Sequence, residues 1–317
     1  IVLLRCGLTR GAACRKRMQR NETCLTKGPV AMSAVFDTLL DLLNLEKIEE
    51  NVFRGRSAHT SWQRVFGGQT IAQALVAAQR TVEPTRLAHS LHGYFMLGGD
   101  PNAPIVYSVD RIRDGGSFTT RRVVATQHGR AIFSLEASFQ TPETGLDHQI
   151  AMPDVPQPEQ LASQRELLDG LGDGVPEVVR KYWARERPKE VRPVIFEHYT
   201  SREKLEPVQH VWVRFAATPP DDPALRRVLL SYMSDMTLLD TSTFAHGRVI
   251  FDQDIQAASL DHAMWFHREN PLDDWILYTQ DSPSTSGGRG FTRGSLYSRS
   301  GTLIASVAQE GLIRLKR

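Results

Sequence analysis

His92-Gly93-Tyr94-Phe95 and His262-Ala263-Met264-Trp265 stand 170 residues apart, each early in a series of strand-like runs. Working outward from this pair, the two halves of the chain keep answering each other. Ile105-Val106-Tyr107 is matched by Ile276-Leu277-Tyr278, and Gly116-Ser117-Phe118-Thr119 by Arg289-Gly290-Phe291-Thr292. Gly129-Arg130-Ala131-Ile132 is matched by Gly301-Thr302-Leu303-Ile304, so displacements of 170 to 173 residues run through the series. One such match is cheap, whereas an ordered series is not. Gly129 and Gly301 each fall where a hairpin turn belongs.

Helical spacing of Ile71, Ala74, Leu75 and Ala78 predicts a helix over 70–80, led by Phe66-Gly67-Gly68-Gln69. Strands are expected at 92–96, 105–109, 118–126 and 131–139. The second half repeats the order, with a strand at 208–215, a helix at 228–239, and strands at 263–266, 275–279, 291–298 and 303–314. This order predicts a duplicated α+β unit, one helix plus an antiparallel sheet, fused into one chain.

Proline marks the seam. Seven of the 17 prolines lie between Pro142 and Pro193, where exposed connectors tolerate a residue that breaks regular elements. A short helix is expected within it at 159–171. The organisation read from the chain is a first unit at 32–142, a Pro-rich crossover at 143–190 and a second unit at 191–317.

The head of the chain differs from the body. Residues 1–31 carry seven basic residues against one acid, which leaves the body with 31 basic and 35 acidic residues. The body therefore gives no electrostatic reason to expect nucleic acid as a partner. Cys6, Cys14 and Cys24 all lie in the head, which excludes a disulfide framework, a structural zinc site and a cysteine nucleophile from the main fold. The head is read as a disordered extension, with Met32 the working start. The rival reading is an Arg-rich targeting peptide.

At 317 residues, 41% apolar and 23% charged, the chain is long enough to bury a sizeable core without disulfides. No apolar run is long enough for a membrane span. Ser in G-x-S-x-G is absent, as is H-E-x-x-H, and Gly287-Gly288-Arg289-Gly290 has neither P-loop nor dinucleotide spacing. Chemistry must come from a small polar set, with no metal, no cofactor and no covalent nucleophile.

Several longer motifs carry a resemblance. Leu43-Asn44-Leu45-Glu46, Phe53-Arg54-Gly55, Val65-Phe66-Gly67-Gly68-Gln69 and Arg113-Asp114-Gly115 lie in the first half. Tyr232-Met233-Ser234-Asp235, Leu260-Asp261-His262-Ala263-Met264-Trp265-Phe266-His267 and Gln309-Glu310-Gly311 lie in the second. Over about residues 33–315 the chain resembles the acyl-CoA thioesterase II family, whose members are two fused hotdog units. The resemblance implies hydrolysis of medium- to long-chain acyl-CoA to fatty acid and CoA. It further implies a dimer or tetramer, and a catalytic set of Asp, Thr or Ser, and Gln that holds a water. Carried over motif by motif, these fall on Asp235, Ser259 and Gln309. Ser259 stands where many bacterial members have Thr, and both supply a hydroxyl that donates and accepts.

The residues agree with that assignment. Asp235 sits inside an otherwise apolar helix, where an unpartnered carboxylate is costly and burial raises its pKa. Gln309 interrupts an apolar strand run. In the first half Gly68 or a neighbour, and Ala137, stand at the corresponding places, so one active site per chain is expected. Asp261 and His262 are adjacent on a strand and so face opposite sides, which argues against a dyad. His262 is read as structural or as part of the site wall. Arg289 and Arg293 are candidates for the CoA phosphates. Two rivals remain: a hotdog hydratase or dehydratase, and a non-catalytic acyl-CoA-binding module. The C-terminus is not a Ser-Lys-Leu signal, and a cytoplasmic location is expected.

Overall fold

In the computed structural model the described residues are 29–57, 64–172 and 177–316; residues 1–28 of the extension expected at 1–31 lie outside them. Helix α1 (Pro29–Leu43) begins ahead of Met32 and buries Phe36, Leu39 and Leu43, spaced three and four apart along one face. Strands β1 (Glu46–Glu49) and β2 (Val52–Gly55) follow, then helix α2 (Gly67–Gln79). Alanines at 72, 74, 77 and 78 are fully buried, which lets the sheet close tightly around this helix. Strands β3 (Leu87–Phe95), β4 (Ile105–Asp114), β5 (Phe118–Gln127) and β6 (Arg130–Gln140) complete the first unit.

The crossover carries α3 (Gln164–Asp169) and α4 (Glu177–Trp183). One helix was expected at 159–171. Instead a single 3-10 turn over Pro158–Gln160 is separated from α3 by Ser163, whose hydroxyl and Glu166 form a reciprocal cap that starts a new helix. The second unit begins with β7 (Lys189–Pro193), which pairs with β8 (Val208–Phe215) across the boundary expected at 190/191. After these come α5 (Pro223–Ser234), α6 (Thr241–Phe244), β9 (Ile255–Ser259), β10 (Asp261–Phe266), β11 (Ile276–Ser286), β12 (Arg289–Ser298) and β13 (Leu303–Leu315).

All strands join one antiparallel sheet, ordered β1-β2-β4-β5-β6-β3-β10-β13-β12-β11-β8-β7, with β9 paired to β13. The halves meet where β3 pairs with β10, and α2 packs against α5. The duplication expected from the sequence is therefore present as one central helix in each half, α2 and α5, on a shared sheet.

Two details of the expected correspondence are corrected. The uniform displacement holds for strands but fails for helices: α2 and α5 begin at Gly67 and Pro223, 156 residues apart. The second half inserts α6 and β9 between its helix and its next strand. The match of His92 to His262 also slips by one residue. His92 is exposed while His262 is fully buried. Sheet side chains alternate, so a one-residue slip changes the face. By face, the counterpart of His262 is the buried Leu91.

Candidate active site

Helix α5 is an apolar stripe of Val228, Leu229, Leu230 and Met233, started by Asp222, whose carboxylate accepts the N–H groups of Ala224 and Leu225. Asp235 was read as lying inside this helix. It is instead the residue that closes it, because the chain turns at Thr237 into the left-handed region at φ 65°. The last carbonyls of a helix lack internal partners, and here the sheet supplies them. Tyr278 donates to Ser234 O at 2.7 Å and Lys189 to Met233 O at 3.4 Å. Gln209 donates to Thr237 O at 2.8 Å. Asp235 thus hangs from a helix end held on three sides.

Gln309 points inward from β13 and is 1% exposed. Its amide Nε2 donates to Asp235 Oδ1 at 3.3 Å and to Ser259 Oγ. Ser259 reaches it because β9 pairs with β13, with Ser259 opposite Gly311. The three residues named from the sequence therefore converge, although 74 and 50 residues separate Gln309 from its two partners. Across β12, the buried Thr292 donates to Gln309 O at 3.1 Å.

A fourth element comes from the other unit. The backbone N–H of Gly68 donates to the Asp235 carboxylate. Gly67 and Gly68 are the first two residues of α2, behind the capping Phe66, where N–H groups lack intrahelical partners and the dipole favours an anion. A Cβ on Gly67 would lie 2.6 Å from Asp235 Oδ2, and one on Gly68 would lie 2.4 Å from Tyr232 O. Only glycine lets the two helix ends approach this closely. Gly68 or a neighbour was expected as the first-half counterpart of Asp235. It is instead a direct partner, and the counterpart of Asp235 is Arg80, which closes α2.

Burial pushes the Asp235 carboxyl up to about 7, against the opposing effects of the Gly68 N–H, Gln309, Lys189 and Ser259. Burial likewise holds the Lys189 ammonium well below its ordinary value, with Arg187 adding to that and Asp235 opposing it. A carboxyl titrating near neutrality is suited to general-base work. Lys189 carried no signal in the sequence, being one more cation in a connector.

The other candidates lie elsewhere. Arg289 and Arg293 occupy the outer face of β12, alternating with the buried Gly290 and Thr292. Arg289 pairs with Glu310 at 2.9 Å and Arg293 with Asp281 at 2.7 Å. The structure does not bring them to the trio. Asp261 accepts the Glu310 N–H at 2.6 Å, apart from the inward-facing His262. In the first half, register places Ala137 opposite Arg121 where the second half pairs Gln309 with Thr292. Arg121 is buried there and donates to Thr81 O, Arg113 O and Asp114. That end of the helix pair is filled by a structural arginine. Among the described residues no cluster of three or more His, Cys, Asp or Glu could hold a metal, and no helix is long and apolar enough to cross a membrane.

One central helix per half, α2 and α5, on a shared antiparallel sheet defines the class as a double hotdog. A hot-dog-fold protein from Alicyclobacillus acidocaldarius superposes with a TM-score of 0.71 at 19% identity, over 88% of this chain and 99% of that one. Two family models match, "Acyl-CoA thioesterase N-terminal domain" at residues 57–140 and "Acyl-CoA thioesterase" at 178–312. Acyl-CoA thioesterase 2 of Haemophilus influenzae is 38% identical over 89% of this chain and 99% of its own length. Human acyl-coenzyme A thioesterase 8 is 39% identical over 87% of this chain and 88% of its own. The acyl-CoA thioesterase II TesB2 structure from Mycobacterium marinum has a TM-score of 0.72 at 43% identity, covering 87% of this chain and 98% of that one. The chain belongs to the acyl-CoA thioesterase family, a family of hydrolase enzymes.

Proposed function

We propose that this chain hydrolyses medium- to long-chain acyl-CoA to a fatty acid and CoA through a water activated by Asp235. The observation that carries the reading is the convergence of Asp235, Ser259 and Gln309 at the N-terminus of α2. Asp235 takes a proton from a water that Ser259 and Gln309 also hold. The resulting hydroxide adds to the thioester carbonyl. Collapse of the tetrahedral species breaks the carbon–sulfur bond, and the departing thiolate takes up a proton. A thiolate leaves readily, so neither a metal nor a covalent nucleophile is required.

Charge developing on the carbonyl oxygen needs fixed donors. The Gly68 N–H is engaged by Asp235, which leaves the Gly67 N–H at the first helical position to meet that oxygen. Phe95 lies against Gly67, and Phe66 stacks edge-on against Tyr232 at 5.2 Å. These rings supply an apolar wall beside the carboxylate, in keeping with a hydrocarbon acyl group. Exposed Tyr94, Trp265 and Phe291 on the outer side of the sheet support association of chains into a dimer or tetramer.

The test is CoA release from a C6–C18 acyl-CoA series, followed with a thiol-reactive dye, on wild type and Asp235→Asn together. Loss of about 10²–10⁴ in rate on substitution is expected for a general base. Wild-type turnover by a folded Asp235→Asn sinks the assignment of the base. Absence of release by wild type at every chain length returns the choice to a hydratase or a binding module.

A further inference from the structure

His262 stands one step along from the Ala263–Ala308 pair, opposite Gln309 on the neighbouring strand. Both side chains point inward, at 0% and 1% exposure. Directly opposed side chains on one face of an antiparallel pair lie within reach of each other. The imidazole Nε2 is 2.8 Å from Ser234 Oγ, the residue before Asp235. Two buried polar atoms of this cluster make no hydrogen bond of strict geometry, His262 Nδ1 and Gln309 Oε1. A buried donor or acceptor left unmade is costly, and here the two orphans belong to facing residues. Burial keeps the ring neutral, its pKa falling to about 4, while the Gln309 side chain acts on it as a hydrogen-bonding neighbour.

A neutral imidazole has one donor and one acceptor nitrogen, so its tautomer decides which way Gln309 can face. We propose that His262 is a positioning residue whose Nδ1–H donates to Gln309 Oε1 and thereby locks the amide with Nε2 toward Asp235 and Ser259. The circuit then closes on itself. In it the Ser234 hydroxyl turns from Ser231 O, 3.0 Å away, to donate to His262 Nε2, His262 Nδ1–H donates to Gln309 Oε1, and Gln309 Nε2 donates to Asp235 Oδ1. It begins and ends on adjacent residues of one helix end. Without the lock the amide is free to turn over and present its carbonyl oxygen to the carboxylate, which disfavours the ionised base. The ring touches no substrate in this account and acts through Gln309.

The inference rests on the catalytic reading above, and its tests separate the two. Long-range ¹⁵N–¹H spectra of histidine-labelled wild-type chain, with the His262 signals identified by their loss in His262→Asn, report the tautomer without reference to activity. The Nδ1–H form is expected, and the Nε2–H form overturns the lock. In kinetics, His262→Leu is expected to lose about 10–10²-fold in kcat, the scale of a displaced catalytic group, with KM little changed. The acid limb of its pH–rate profile is expected to move to higher pH. Lys189 on β7, Tyr278 on β11 and the Gly68 N–H on α2 also face Asp235, and they are unaltered in this variant. His262→Asn, whose amide can place a donor near the Nδ1 position, restores most of kcat and the wild-type limb.

A purely structural role would lower the yield of folded enzyme without moving the limb, and an unmoved limb in His262→Leu overturns the proposal. Should His262→Leu fail to fold, the tautomer and the His262→Asn profile decide alone. Full turnover by Asp235→Asn would instead overturn the catalytic reading, and the tautomer would then judge the lock by itself.

Discussion

The carboxylate of Asp235, at the end of the second unit's helix, accepts the backbone N–H of Gly68, at the start of the first unit's helix. The site therefore belongs to neither half alone. One half supplies the proposed base and the residues that hold it, and the other supplies a positive helix end. Gly68 is also the point of closest approach, since its Cα faces Tyr232 O with no room for a side chain.

Gly68→Ala is accordingly expected to force the two helix ends apart. Overpacking of this kind costs typically ~1–3 kcal/mol, and kcat should fall with it because Asp235 moves. Gly116→Ala, where a Cβ meets nothing within 4 Å, is the matched control and is expected to be neutral. Chemical denaturation and thiol release on both variants check the contrast.

The pH dependence follows from a base titrating at about 7. Activity should rise through that pH and level off above it, because only the carboxylate accepts a proton. The sign for stability is the reverse. The carboxyl titrates higher in the folded chain than in the unfolded chain, where it is near 3.9. The folded state therefore binds more protons between these values, and stability is lost as pH rises from about 4 to about 7. Asp235→Asn removes that penalty. Its melting temperature should exceed wild type at pH 8 and match it near pH 4, while its activity is lost. A variant less stable than wild type at pH 8 would contradict the burial argument.

Arg289→Ala and Arg293→Ala should leave KM for acyl-CoA unchanged. Both side chains sit on the outer face of β12 in exposed ion pairs, each worth about 0–1 kcal/mol. A severalfold rise in KM in either variant would show that CoA reaches that face.

Arg121→Leu should destabilise the chain by about 2 kcal/mol or more, since it strips hydrogen bonds from the carbonyls of Thr81, Arg113 and Thr120. The kcat of the folded fraction should stay at the wild-type level, as expected if this end of the helix pair is structural. Thermal melts paired with activity per folded molecule distinguish the two effects.

The repeat and the α+β class were legible because they reside in local pattern, and Asp235, Ser259 and Gln309, the set proposed here as catalytic, could be named from motif before their meeting was visible. Periodicity reports which residues are apolar together, and glycines mark turns, without any knowledge of partners. The face of a strand residue is a finer matter, and the His92–His262 match fails there because pairing register alone decides it. The crossover resisted for a similar reason, as a single serine cap splits what composition reads as one helix. What only the tertiary structure decided was contact between distant segments. Gly68 meets Asp235 because α2 and α5 run against each other on a shared sheet, and Lys189 and Tyr278 meet the end of α5 because their strands lie beneath it. Arg289 and Arg293 are drawn away to the outer face by strand alternation. A sequence determines which groups are available and roughly where the chain turns. Which of them share a desolvated volume, and so shift one another's pKa, depends on a packing that no local stretch of chain encodes.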